Sequence, residues 1–126
     1  MAQKYIIGDL IKYKVGGLEF IAEITNTSKY GYCFKGVSDD ISGTLCKEFA
    51  KDIPLTPEIL EKNGWKKFKR PYSRDYCYRR KGYPTLNIRS ENEWYFHWGD
   101  HDESITTVHQ LQHLLYGLKI NSEMEV

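Results

Sequence analysis

No run of apolar residues in this 126-residue chain is longer than three, so no segment can span a bilayer as a helix, which takes about 20 such residues. The opening stretch, MAQKYIIGDLIKY, has no long apolar core, and no secretory leader is expected from it. Cysteine is scarce: Cys33, Cys46 and Cys77 lie far apart, with no CxxC pair. An odd number of thiols without a leader points to a reducing, cytoplasmic compartment, with the thiols acting as small buried hydrophobes. Catalytic signatures are missing too. There is no Gly-x-Ser-x-Gly elbow, no P-loop, and no acidic residue two positions before a Lys. These absences remove the hydrolase nucleophile, the phosphate cradle and the short half of a restriction-type nuclease pattern. A Cys–His pair such as Cys77 with His97 is the residual nucleophilic candidate. No cofactor is expected.

What the chain does have is aromatic residues. They make up 14% of it, with ten Tyr, beside an ordinary 40% hydrophobic and 28% charged content. Rings fill small cores efficiently, and they also line surfaces that bind bases, sugars or proteins. The length fits one compact domain or two small subdomains.

The net charge of +1 conceals an asymmetry. Eight of the 18 Lys and Arg, but only one of the 17 Asp and Glu, fall within residues 66–83, KKFKRPYSRDYCYRRKGY. That segment is therefore +7, and the rest of the chain, with ten basic and sixteen acidic side chains, is −6.

The hydrophobic pattern predicts strands first. Ile11, Tyr13 and Val15 alternate in one run, and Leu18, Phe20, Ala22 and Ile24 in the next, with Gly16-Gly17 as a hairpin turn between them. Asn26-Thr27-Ser28 turns the chain into Tyr30–Lys35, where Tyr30, Tyr32 and Phe34 alternate, and 36–51 reads as looser chain. A helix is expected after Thr56, which can cap it, with Pro57 in the first turn and Gly64 as the stop. Strands are expected over Asp75–Arg80, Thr85–Arg89 and Glu93–Trp98. Thr107 and Gln110 form a capping box for a last helix ending at Gly117, with Val108, Leu111, Leu115 and Leu118 on one stripe. The expected class is α+β: a small bent N-terminal sheet or SH3-like barrel over 1–55, then helix, three-stranded antiparallel meander and helix over 56–126, with or without a shared core.

Two stretches, IPLTPEILEKNGW (53–65) and TTVHQLQHLLYGL (106–118), resemble a family of short proteins from gut bacteria and their prophages. The resemblance implies a small intracellular protein of a mobile element and brings no functional residue with it. Both stretches coincide with the helix caps.

Two clusters could carry chemistry. In the basic segment Lys66, Lys67, Lys69, Arg70, Arg74, Arg79, Arg80 and Lys81 could neutralise phosphates, while Phe68, Tyr72, Tyr76, Tyr78 and Tyr83 could stack on unpaired bases. An acidic protein surface would suit the same charges. The plainer reading is a solvated edge strand whose cations resist aggregation, with its tyrosines facing the core. Within one strand Tyr76 and Tyr78 would leave the face opposite Arg79, which counts against a stacking platform. The second cluster is His97, His101, His109 and His113. The i, i+4 pair His109 and His113 can share a metal, and a metal-dependent hydrolase is the alternative function. Gln110, however, stands where an HExxH motif needs Glu, and the pair lies opposite the leucine stripe, so both are expected to face water.

Overall fold

The structure, a computed structural model, describes residues 5–29, 31–38, 41–69, 71, 76–90, 93–98 and 101–126, with the backbone alone at 45, 89, 90, 97, 98, 101 and 102. Two compact units divide between Ile53 and Pro54. No described helix is long and apolar enough to cross a membrane.

In the first unit β1 (Leu10–Val15) and β2 (Leu18–Thr27) form the expected hairpin, pairing Tyr13 with Phe20. Gly16 sits at φ +58 in its turn, a conformation that costs glycine little. β3 (Tyr32–Gly36), β4 (Ser42–Leu45), a single 3-10 turn at Lys47–Phe49 and β5 (Ala50–Lys51) complete one sheet in the order β4-β3-β2-β1-β5. Phe20, Ala22 and Ile24 turn inward as their alternation requires, whereas Leu18 is exposed. A bulge between Ile24 and Asn26 lets β2 run on to Thr27, so the turn falls later than Asn26-Thr27-Ser28 and is held by Ser28 and Gly31. The stretch expected to be loose contains β4 and β5, two short strands with no alternating apolar residues to reveal them. Tyr30 lies outside the described residues. The rings of Tyr13, Phe20 and Phe34 meet at 4.8–5.7 Å and centre the core.

Two buried phenols make this core sensitive to alkali. Burial, then the nearby Tyr32 and Cys33, pushes the Tyr13 hydroxyl up to about 12. Burial, then a hydrogen bond donated to the Asp52 carboxylate, raises Tyr5 further. In each case the folded pKa lies above the unfolded one. The protonated phenol therefore contributes its full stability below about pH 10, and that stability is lost as pH rises through the folded values. The urea midpoint should fall steadily between about pH 10 and 12, and less steeply in the Tyr5→Phe, Tyr13→Phe variant. If all the tyrosines ionise together near pH 10 in protein that stays folded, these two phenols are not buried.

The second unit holds α1 (Pro57–Lys62), β6 (Lys66–Lys69), β7 (Tyr76–Arg79), β8 (Leu86–Ser90), β9 (Glu93–Trp98), β10 (His101–Ile105) and α2 (Val108–Gly117). The five strands form an antiparallel sheet in chain order. This corrects the α+β expectation: the chain is mostly β, with two five-stranded sheets and only two described helices, and the meander has five strands rather than three. The added strands are β6 and β10, the two edges. Strands with a single apolar residue each, Phe68 in β6 and Ile105 in β10, carry no period-two signal.

Both helices begin where their caps predict. Thr56 Oγ1 accepts from Ile59 N at 3.3 Å, and Thr107 and Gln110 form the reciprocal capping box. The ends differ. After α1, Gly64 (φ +95) takes the left-handed position, and Trp65 N donates to Leu60 O in a Schellman closure. After α2, Gly117 is still helical, and the left-handed position falls to Lys119 (φ 59), with Ile120 N donating to Leu115 O. A lysine there is strained by about 1–2 kcal/mol relative to its right-handed conformation. Lys119→Gly should therefore raise stability by about 1 kcal/mol in thermal unfolding, net of the greater unfolded-chain entropy of glycine. A lower stability would show that the turn tolerates lysine without strain.

The segment beyond that turn returns along the unit. Gln112 Nε2 donates to Ser122 O, and the Asn63 amide both donates to Glu125 O (2.7 Å) and accepts from Glu125 N (2.8 Å). Leu55 N donates to Thr106 O, and Pro54 bridges to Thr107, tying the start of the unit to the entry of α2. Leu60, Trp65, Cys77, Leu86, Trp94, Val108, Leu111 and Leu115 are all buried, which bears out the leucine stripe at three of its four positions; Leu118 is half-buried. Of the thiols only Cys77 is buried; Cys33 is half-buried and Cys46 exposed, so the small-hydrophobe reading holds at one position of three.

Candidate nucleic-acid interface

β6 is the outermost strand of its sheet, and its four residues, Lys66, Lys67, Phe68 and Lys69, are all exposed. Its antiparallel register with β7 sets Lys66 opposite Arg79, Lys67 opposite Tyr78, Phe68 opposite Cys77 and Lys69 opposite Tyr76. Directly paired residues point to the same side of a sheet. One face of the hairpin therefore carries Lys66, Phe68, Cys77 and Arg79, and the other Lys67, Lys69, Tyr76 and Tyr78. Within β7 alone cations and tyrosines do separate, as its alternation predicts. The partner strand puts them back together: Lys67 and Lys69 join the tyrosines, and Phe68 joins Arg79.

The contacts follow this sorting. Arg79 lies over the Phe68 ring at 4.2 Å, and Lys67 over Tyr76 at 4.2 Å. Phe68 remains 40% exposed and Tyr76 36%. Tyr76 is thus a correction to the reading of core-facing tyrosines, which holds for Tyr78 alone. Burial, followed by the carboxylates of Glu61 and Glu58, raises the Tyr78 phenol. Beyond the strand, Arg80 stacks on Tyr83 at 3.8 Å and approaches Trp65 at 5.3 Å. A side chain at position 64 would meet Arg80 Nε at 3.2 Å, so Gly64 serves this stack as well as the helix stop. Tyr83 is half-buried in that contact, and Lys81 is exposed. The structure therefore brings together Lys66, Lys67, Lys69 and Arg79 on one hairpin, and sets Arg80 and Tyr83 in a stack at its side. Arg70, Tyr72 and Arg74 lie outside the described residues. Exposed Phe68 was the part hardest to read, because a lone aromatic among lysines fits no strand period.

No family model, no curated protein and no solved structure matches this chain.

The histidine cluster is differently placed from its expectation. His109 is 5% exposed rather than facing water, and its Nδ1 lies 3.1 Å from Thr107 Oγ1. Its ring meets that of half-buried His113 edge-on at 5.5 Å. Gln112, one turn along from His109 and flanking the leucine stripe, is also buried and is bonded to Ser122 of the returning segment, whereas Tyr116 on the histidine side is exposed. The side chains of His97 and His101 lie outside those described. Among the described residues no group of three His, Cys, Asp or Glu is arranged to hold a metal ion.

Proposed function

We propose that this chain is a non-enzymatic binding module whose basic hairpin, β6 with β7 and the adjoining Arg80, engages nucleic acid in a reducing, cytoplasmic compartment, as a small protein of a mobile element. One observation carries the reading: each face of an exposed edge hairpin presents both cations and an exposed ring, Phe68 beside Lys66 and Arg79, Tyr76 beside Lys67 and Lys69. Phosphates need the cations and unpaired bases need the rings. An acidic protein surface would be held by the same charges, without requiring stacking on the two rings. The three free thiols and the prophage-like helix motifs support the setting.

The test is fluorescence anisotropy with a labelled single-stranded oligonucleotide. If about four phosphates are neutralised, affinity should fall about 50-fold between roughly 50 and 200 mM salt. Lys67→Glu, Lys69→Glu, Arg79→Glu should abolish binding, whereas Phe68→Ala, Tyr76→Ala should weaken it by about 1–3 kcal/mol per stacked base while preserving the salt slope. No binding of single- or double-stranded DNA or RNA at low salt would refute the reading. Binding that ignores loss of both rings would refute its base-stacking part.

A further inference from the structure

The two edges of the second unit's sheet are unlike in charge. At one edge stands β6, Lys66-Lys67-Phe68-Lys69; at the other stands β10, His101-Asp102-Glu103-Ser104-Ile105. With imidazole neutral, the first strand carries +3 and the second −2. Among the described residues no strand pairs with the outer side of either. An edge strand turns alternate N–H and C=O groups outward, and these groups seek a partner. Beside β10 an open groove of about 490 Å³ runs against α2, with Glu103 and Ser104 on the strand side and half-buried Leu114 and Leu118 on the helix side.

From this complementarity we infer that the protein self-associates head to tail, the basic edge β6 of one copy adding to the acidic edge β10 of the next. The occupant of the β10 edge is a second copy of this chain. Three observations select it. First, a two-fold contact of β6 with β6 would oppose lysines, and one of β10 with β10 would oppose carboxylates; like charges across a strand pair are destabilising. Only the unlike edges attract. Second, β6 carries one apolar side chain, Phe68, 40% exposed, and the groove along β10 offers Leu114 and Leu118 to cover it. Third, the edge lysines that block pairing with a neutral or basic strand do not block pairing with an acidic one. The same residues thus protect the sheet from indiscriminate aggregation and select this partner.

A heterologous contact uses a different surface on each copy, so every added copy leaves one β6 and one β10 edge open. The product is a series of growing species, or a closed ring, and not a terminated dimer. This inference shares β6 with the nucleic-acid reading, so an assembled edge and a bound nucleic acid compete for the same lysines; only the assembly needs β10.

The experiment is sedimentation velocity on the full chain, freed of nucleic acid by nuclease and high-salt washing. At about 0.01 M salt, where the screening length is about 30 Å, the mean mass should rise with concentration through several multiples of one copy. At about 1 M salt, where it is about 3 Å, the protein should sediment as single copies. Lys67→Glu, Lys69→Glu should be monomeric at low salt because both its edges are acidic. Asp102→Lys, Glu103→Lys should be monomeric because both are basic. Mixing these two variants restores unlike edges, and the series should return; that recovery also shows that each variant is folded. A wild type that stays a single copy at low salt up to about 0.5 mM overturns the inference. So does a terminated dimer, or a variant mixture that stays monomeric. Nucleic-acid binding by the Asp102→Lys, Glu103→Lys variant separates the two readings, since it keeps β6 intact while losing the assembly.

Discussion

Replacing Trp65 by alanine should cost about 3–5 kcal/mol, the range for truncating a large buried ring. Trp65 is fully enclosed, its Nε1 donates to Pro84 O at 3.3 Å, and its ring meets Tyr83 edge-on at 5.3 Å. Trp94 is as deeply buried and packs on Tyr78, but among the described residues its Nε1 has no hydrogen-bond partner. An unsatisfied buried donor costs about 1–3 kcal/mol before any substitution is made. Alanine at either position should be severe. Phenylalanine should separate them: Trp94→Phe removes the unsatisfied group along with some volume, while Trp65→Phe removes a satisfied one and leaves Pro84 O without its donor. Urea unfolding of the two phenylalanine variants should therefore find Trp94→Phe the milder by about 1 kcal/mol or more. If Trp94→Phe proves the more damaging, its indole nitrogen has a partner in solution.

Leu111→Ala and Leu115→Ala should each cost about 2–5 kcal/mol. Both side chains are buried on the stripe of α2 that faces the second unit's core, and Leu115 also supplies the carbonyl that accepts from Ile120 N. The half-buried Leu114 should cost clearly less, since part of its surface already lies in water. Chemical denaturation of the three variants orders them. A loss below about 0.5 kcal/mol at Leu115 would place the stripe on the surface.

The parts of the fold legible in the sequence are those governed by neighbours a few residues apart. Thr56 with Pro57, and Thr107 with Gln110, define helix starts because a cap bonds to a backbone group three residues on. The β1–β2 hairpin is legible because Gly16-Gly17 and the alternation on either side agree. What could not be read is whatever depends on a distant partner. β6 and β10 exist because β7 and β9 offer them a ladder, and their own residues, exposed on the described side chains except for buried Ile105, show no periodicity. The arrangement of cations and rings at the candidate interface is likewise a property of two strands. One strand's alternation correctly separates Tyr76 from Arg79, and the register with β6 reverses the conclusion. His109 fails for a similar reason. A helical wheel locates it opposite the leucines, and the wheel contains no information about what the rest of the unit packs against that side. Gly117 shows a smaller failure. A glycine near a helix end is the usual stop, but here the closing turn comes two residues later and forces Lys119 into the left-handed conformation.

The bonds joining Leu55 to Thr106 and Pro54 to Thr107 bear on the order in which the nascent chain acquires structure. Every strand pairing of the first unit lies within residues 10–51, so that sheet can form as soon as β5 has left the ribosome. The second unit cannot. Its α1 and its first strands emerge early, but the residues that Leu55 and Pro54 bind are synthesised some fifty positions later, together with the helix that seals the core. At about 5–20 residues per second this leaves several seconds in which a finished sheet is followed by an unsealed one with its leucines and tryptophans uncovered. During that interval the lysines of β6, already outside the tunnel, are the part of the emerging unit best suited to keep neighbouring chains on a polysome apart.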